Sequence, residues 1–149
     1  MRVFLDTNIL MDLLDTQRVY YEEAACIFEM ARKGKLEAFI TSQSILDTIY
    51  NCRKTADPAR LRDTLITITQ FIHLVPIGQT EICKALQSNE PDVEDVSQAI
   101  AADSQCCHLI ISNDKDFPLY PEDWPITVMS SSMFVNTCKR LESAEPQMG

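Results

Sequence analysis

Short apolar runs alternate with longer amphipathic segments along the chain, and this alternation limits the possible folds more than any other feature of the sequence. In the longer segments, apolar residues recur at spacings of three and four, which indicates helices. Strands that are separated by helices are joined by crossovers, which give a parallel sheet covered by helices. The strands are predicted at 2–5, 36–40, 73–76, 108–111 and 126–129, and the helices at about 9–14, 19–33, 42–50, 58–68 or 72, 79–88, 92–101 and 131–141.

Residues typical of helix ends support several of these boundaries. Gly34 is predicted to end the second helix, because glycine readily adopts the left-handed conformation that follows many helices. Ser42 or Ser44 is predicted to begin the third helix. Asp57 and Pro58 have the types expected at an N-cap and at the first helical position of the fourth.

The length and composition predict a single folded domain. A chain of 149 residues with 46% hydrophobic residues can bury a sufficient core without disulfides or a structural metal. Residues 1–141 are predicted to form this domain, with a proline-rich loop at 117–125 and a disordered tail at 142–149. The three glycines are too few and too scattered for a dinucleotide-binding or P-loop phosphate motif.

Charge and cysteine usage limit the environment and the partners. With 22 acidic and 13 Lys or Arg residues, the net charge is −9, which by itself argues against nucleic acid as a partner. We find no apolar run long enough for a membrane span and no signal peptide at the N-terminus, and we expect a cytoplasmic protein. The cysteines show no zinc-ligand or disulfide pattern, and buried free thiols are expected at Cys26, Cys52, Cys83, Cys106, Cys107 and Cys138.

Carboxylates follow several of the predicted elements at the end of the sheet where ligands bind. Asp6 comes directly after the first strand, and Asp114 and Asp116 follow the strand at 108–111. Asp95 lies in the first turn of the preceding helix, and Asp47 lies early in the helix after the second strand. The carboxyl ends of parallel strands meet at one edge, so these carboxylates are expected to converge. Converging carboxylate oxygens are suited to Mg²⁺ or Mn²⁺.

Each acid also has a simpler structural interpretation. Asp6 could only cap the following helix, and Asp95 could only interact with the dipole of its own helix. Asp114 or Asp116 could be a turn residue, and Asp47 could face solvent. Solvent-facing or capping roles are the preferred interpretation for a further group: Asp12, Asp15, Asp92 and Glu94.

Two segments resemble the PIN-domain ribonuclease family and are most similar to small bacterial VapC-like toxins. They are VFLDTNILMDLL near the start and DVEDVSQAIAADSQCCHLIISNDKDF in the second half, and the resemblance covers about residues 2–140. It implies a three-layer α/β/α fold with a central, mostly parallel sheet of four to five strands. It also implies a metal-dependent endoribonuclease that cleaves single-stranded or structured RNA, and a toxin of a type II toxin–antitoxin pair.

The resemblance assigns roles to individual residues. Asp6, Asp95 and Asp114 match the acids that hold one or two Mg²⁺ or Mn²⁺ ions, and Asp116 is a nearby catalytic helper. Asp47 is the acid nearest to a position where the family usually has glutamate, and its side chain is one methylene shorter. Asp92 is a second choice for Asp95, and supporting roles fall to Thr7, Asn8 and Ser112.

The resemblance further implies a homodimer and a small antitoxin as partners. RNA phosphates are a possible ligand for Arg53, Lys54, Arg60 and Arg62, although a solvated face is the simpler interpretation. The departure at Asp47 keeps open a PIN-fold protein- or RNA-binding module with impaired catalysis. Phosphatase and receiver-domain chemistry are disfavoured, because Asn8 occupies the position of a phosphatase's second aspartate and the lysine loop of a receiver is missing.

Overall fold

The computed structural model describes residues 1–118 and 126–145, which contain five strands and seven helices. The elements agree in type and order with those predicted. They are β1 (Arg2–Leu5), α1 (Thr7–Leu14), α2 (Tyr21–Arg32), β2 (Glu37–Thr41), α3 (Ser42–Cys52), α4 (Pro58–Thr69), β3 (Ile72–Val75), α5 (Gln79–Gln87), α6 (Val93–Ser104), β4 (Leu109–Ile111), β5 (Thr127–Met129) and α7 (Ser131–Ala144).

The five strands form one parallel sheet in the order β3-β2-β1-β4-β5. β1 lies at the centre, where Phe4 pairs with Phe39 of β2 on one side and with Ile110 of β4 on the other. The chain builds the sheet outward from β1 to β3 and then returns to the other side of β1 for β4. The gap between the carboxyl ends of β1 and β4 is therefore the topological switch point, where open α/β sheets bind their ligands.

Both faces of the sheet are buried at the inner strands β1 and β4, where residues 3–5 and 109–111 are all apolar. Because side chains alternate along a strand, Val3 and Leu5 pack in a core with residues of α1, α2, α4 and α7. Phe4 points to the opposite face and packs in a second core with residues of α6. The predicted three-layer α/β/α architecture is thus confirmed. Within the described ranges, no helix has the length and apolar character needed to cross a bilayer.

Two local predictions were wrong at element ends. Ile72 begins β3 and does not continue α4, because its side chain is needed in the sheet core. α3 begins at Ser42, one of its two predicted first residues, and Thr41 caps it by accepting a hydrogen bond from the Ser44 backbone N–H. α7 continues to Ala144, three residues beyond the predicted end of the helix. Most of the predicted proline-rich loop (119–125) and the end of the predicted tail (146–149) lie outside the described residues.

Asp12 is buried, which corrects its interpretation as a solvent-facing acid. It is 3% exposed, and its Oδ1 accepts a hydrogen bond of 2.7 Å from Arg18 Nε. Its Oδ2 lies 3.3 Å from Asn113 Nδ2, and Asn113 also binds the backbone N–H and the hydroxyl of Ser131. The carboxylate therefore connects α1 to the segment after β4 and, through Asn113, to the start of α7.

All six thiols are free, as predicted, but they are not all buried. Cys83 and Cys106 are exposed, whereas Cys107 is buried. Burial raises the pKa of the Cys107 thiol to about 11, which makes this group unreactive at neutral pH.

Candidate active site

Asp6 lies at the switch point, and its side chain does not act as a helix cap. It occupies the N-cap position of α1, yet its carboxylate makes no capping hydrogen bond. Its backbone N–H donates to the carbonyl of Ile111 at 3.0 Å, and the Ser112 hydroxyl donates to its Oδ2 at 2.8 Å. The end of β4 thus fixes this carboxylate, which is only 3% exposed.

The start of α6 distinguishes Asp95 from Asp92. Asp92 is the N-cap of α6, and its Oδ1 accepts a hydrogen bond of 3.0 Å from the backbone N–H of Asp95. The carboxylate of Asp92 is therefore engaged in capping the helix. Asp95 is 8% exposed, and its side chain lines the same cavity as Asp6.

The segment after β4 places Asp114 in the site and leaves Asp116 outside it. The backbone N–H of Asp114 donates to the hydroxyl of Ser112 at 3.1 Å, so one serine connects Asp114 with Asp6. The backbone N–H of Asp116 donates to Asp114 Oδ1 at 2.9 Å. Asp116 is exposed and does not line the cavity. Asp116 therefore contacts the site only through the hydrogen bond from its backbone N–H to Asp114.

The acids converge on a cavity of about 390 Å³ at the carboxyl end of the sheet. Asp47 enters it from α3, where Gln43 Nε2 donates to its Oδ1 at 2.8 Å. Glu94 is exposed, as predicted, and it also lines the cavity. Among the described residues that line the cavity there is no Lys or Arg, and the carboxylates are Asp6, Asp47, Asp92, Glu94, Asp95 and Asp114.

The crowding of carboxylates changes their affinity for protons. The pKa of Asp95 rises to about 8, mainly because burial disfavours the charge and then because Asp6, Asp92, Asp114 and Glu94 repel it. Burial also raises the pKa of Asp6, although the Ser112 hydroxyl opposes this effect. The pKa of Glu94 is raised by partial burial and by nearby acids, of which Asp47 has the largest effect. The cluster is therefore unfavourable unless it binds protons or cations.

A divalent cation fits this donor set chemically. Carboxylate oxygens are the ligands that Mg²⁺ and Mn²⁺ prefer, and a bound ion would offset the repulsion that raises the pKa of Asp95. Within the described part of the chain, however, no group of three or more acidic, His or Cys side chains is close enough to hold an ion as it stands.

Replacing Asp95 by Asn is expected to stabilise the metal-free protein above about pH 4. Since the pKa of Asp95 is about 8 in the folded state and its ordinary value is 3.8, the wild type loses stability as the pH rises between these values. Asn cannot ionise, so the variant avoids this loss. We expect an increase in the free energy of unfolding of about 1–2 kcal/mol at pH 8 and almost none at pH 4. Urea unfolding in EDTA measures it.

Asp103→Asn is the matched control, because Asp103 is an exposed acid on the same helix, outside the cavity. We expect it to change stability by less than about 0.5 kcal/mol at either pH. A stabilisation by Asp95→Asn that is equal at pH 4 and pH 8 would show that charge repulsion is not its cause.

Thr7 and Asn8, two of the predicted supporting residues, have different positions at the site. Thr7 is buried, and its hydroxyl lies 2.6 Å from that of Ser44, which lies 2.9 Å from that of Thr41. This chain of hydroxyl groups joins α1 to the start of α3. Asn8 is exposed and lines the cavity directly.

Gln98 is a polar residue near the site that the sequence analysis did not single out. It lies on α6, one turn after Asp95, and is 2% exposed. Its amide is near enough to Asp6 to lower the pKa of that carboxyl, yet it forms no regular hydrogen bond in the structure. The available sequence signal was a Gln directly before the apolar residues 99–102 of α6.

The four predicted RNA-binding cations are exposed, but they do not form one patch at the cavity. Arg53 stacks on the ring of Tyr50, which lines the cavity. Arg62, with Arg53, borders an apolar groove between α3 and α4, and Arg60 lines a separate cleft. Lys54 lines none of these surfaces.

Comparison with known proteins adds family information to this geometry. A family model described as PIN domain matches residues 2–116. Ribonuclease VapC1 of Aquifex aeolicus (strain VF5) is 28% identical over 144 residues, which cover 93% of this chain and 94% of that protein.

Solved structures agree with this match at the level of the fold. VapC20 of Mycobacterium tuberculosis, described as a Sarcin-Ricin loop cleaving toxin, superposes with a TM-score of 0.62 at 12% identity, over 77% of this chain and 92% of that chain. VapBC2 of Rickettsia felis, bound to a DNA fragment from its promoter, superposes with a TM-score of 0.62 at 15% identity. The superposition covers 87% of this chain and 98% of that chain.

Proposed function

Because the chain belongs to the PIN domain family, we propose that it is a metal-dependent endoribonuclease, which hydrolyses phosphodiester bonds in RNA and is the toxin of a type II toxin–antitoxin pair. The observation that carries the proposal is the set of carboxylates at the switch point, with no Lys or Arg among the described residues lining the cavity. The similarity to Ribonuclease VapC1 across nearly the whole chain supports the same activity.

We assign the metal to Asp6, Asp95 and Asp114, which come from three different elements. Ser112 positions two of them, because its hydroxyl donates to Asp6 and accepts from the backbone N–H of Asp114. When bound, Mg²⁺ or Mn²⁺ would polarise the scissile phosphate and lower the pKa of an attacking water. With Mg²⁺ part of the coordination shell would be water, as this ion usually retains several water ligands.

Asp47 and Glu94 are proposed to orient the attacking water and to accept its proton. They line the cavity from α3 and α6, outside the three proposed metal ligands. The proximity of Asp47 contributes to the raised pKa of Glu94, which favours proton uptake by that side chain. Asp116 is assigned a smaller role, through the hydrogen bond from its backbone N–H to Asp114.

We propose an antitoxin and a second copy of the chain as partners, in the cytoplasm. The antitoxin follows from the similarity to VapC proteins, one of which was solved within VapBC2. The proposed enzyme needs such control, because uncontrolled RNA cleavage would damage the cell that makes it.

Divalent metal should be required for RNA cleavage by the purified chain. We expect millimolar Mn²⁺ or Mg²⁺ to permit cleavage of a mixed-sequence RNA pool, EDTA to stop it, and added metal to restore it. Gel analysis of the products, with mapping of the new ends, measures this. Cleavage that persists in EDTA would contradict the proposal.

A PIN-fold binding module with impaired catalysis is the second candidate function. Asp47, where the family usually has glutamate, favours it. Melting temperatures distinguish the two, because a cation that binds only the folded chain must stabilise it, by about 2.7 kcal/mol at 100 times its Kd. A chain that neither melts at a higher temperature in Mn²⁺ nor cleaves RNA would support the binding module.

A further inference from the structure

Tyr50 is an aromatic side chain in the wall of the acid cavity, and the proposed metal chemistry gives it no role. It lies on α3, one turn after Asp47, and lines the cavity together with Asp6 and Asp95. It is 63% exposed. A large ring that is neither packed in a core nor screened from water is available to a ligand that enters the cavity.

Arg53 holds this ring from one side. Its guanidinium carbon lies 3.7 Å from the ring centroid of Tyr50, and its Nη1 donates to the backbone carbonyl of Tyr50 at 2.6 Å. The stacking and the hydrogen bond together restrict the motion of both side chains. The stacked side chains of Tyr50 and Arg53 form a flat, positively charged surface at the edge of the acidic site.

The acid cavity adjoins a neighbouring cleft. Asn51 and Met11 line both the acid cavity and this cleft, which has a volume of about 540 Å³. The charged residues lining the cleft are Asp15, Arg18, Asp57 and Arg60. A linear ligand that leaves the acids along this path passes next to Tyr50. An extended polymer strand has the right shape for such a route.

Resting on the ribonuclease function proposed above, we propose that Tyr50, supported by Arg53, stacks on an unpaired base next to the scissile phosphate. Aromatic rings bind exposed bases in this way, largely irrespective of base identity. Bases inside a duplex are already stacked and cannot reach the ring. Arg53 adds a positive charge beside the ring, which favours the approach of a phosphate-bearing strand.

The test uses a single-stranded oligoribonucleotide that contains one mapped cleavage site of the wild-type chain. Alanine substitution of a stacking residue typically weakens binding substantially for each base that is stacked, so we expect Tyr50→Ala to lower kcat/KM about 10- to 100-fold. Most of this loss should appear in KM, because stacking is present before and during the reaction. Tyr50→Phe, which keeps the ring, should recover most of the lost efficiency.

An abasic nucleotide in the substrate tests the same contact from the RNA side. Scanned along the positions next to the cleavage site, it should impair wild-type cleavage at one of them and cause no further loss in Tyr50→Ala. Tyr20→Ala is the matched control, since Tyr20 is exposed but lines neither the acid cavity nor the cleft. The increase in melting temperature caused by Mn²⁺ should persist in Tyr50→Ala.

Several results would contradict the proposed role of Tyr50 and leave the proposed ribonuclease function intact. These are cleavage by Tyr50→Ala within twofold of wild type, equal abasic effects in both proteins, or equally fast cutting of the same site in a duplex. An altered sedimentation coefficient with unaltered cleavage would assign Tyr50 to a protein contact instead. A wild-type chain that cuts no RNA overturns both proposals.

Discussion

Asp6→Asn is expected to reduce metal-dependent RNA cleavage at least about 100-fold, a loss typical of removing one group that stabilises charge in an active site. Asp6 is buried at the end of the central strand and is held by Ser112. Asn keeps the shape of the side chain but removes the negative charge and one strong oxygen ligand. Initial rates of oligoribonucleotide cleavage in saturating Mn²⁺ measure the effect.

The fold should survive this change. The pKa of Asp6 is raised by burial, so the neutral amide is better tolerated than the carboxylate when no metal is bound. Asp6→Asn should therefore melt no lower than wild type in EDTA and gain less stability from Mn²⁺. Asp103→Asn, on the exposed face of α6, should cleave like wild type. An Asp6→Asn chain that retains cleavage within threefold would remove Asp6 from the mechanism.

Asp12→Ala should destabilise the chain by about 2–3 kcal/mol, somewhat less than the roughly 3–5 kcal/mol typical of breaking a fully buried ion pair. The substitution leaves Arg18 without its partner, and Asn113 loses one contact between α1 and the start of α7. We place the effect below that range because the Arg18 side chain is 37% exposed and water can replace part of its interaction. For a domain of this size, the melting temperature should fall by roughly 5–10 °C.

The appropriate control is Asp63→Ala, because Asp63 is an exposed acid on α4 with no side-chain partner in the described residues. It should change stability by less than about 0.5 kcal/mol. A melting temperature of Asp12→Ala within 2 °C of wild type would show that the network contributes little. Stability loss without loss of metal-induced stabilisation would confirm that Asp12 acts on the fold and not as a ligand.

The sheet and the position of the site could be predicted because their signals are local and periodic. The alternation of strands and helices required a parallel sheet, and acids directly after β1 and β4 had to meet at its carboxyl edge. Asp6 and Asp114 illustrate this, because their positions depend only on strand ends. Ile72 shows the opposite case, since an apolar residue that ends one periodic pattern can also begin the next.

Side-chain direction and long-range pairing were the parts that the sequence could not determine. Asp12 sits between apolar residues of α1 and looked like a solvent-facing residue, because its partner Asn113 is 101 positions away. Glu94 precedes Asp95 on α6, and only the packed helix shows that both side chains line one cavity. The exposed ring of Tyr50 carried no periodic signal that would distinguish it from a core residue.

The central position of β1 also has a consequence for the timing of synthesis. β1 is made first, but β4, which pairs with it and delivers Ser112 and Asp114, is encoded more than a hundred residues later. At the usual rates of translation, this interval lasts about 5 to 20 s. During that time Asp6 is already synthesised but has neither its hydrogen-bond donor nor its partner carboxylate. The complete acid cluster therefore forms only after the ribosome has made β4 and the segment that follows it.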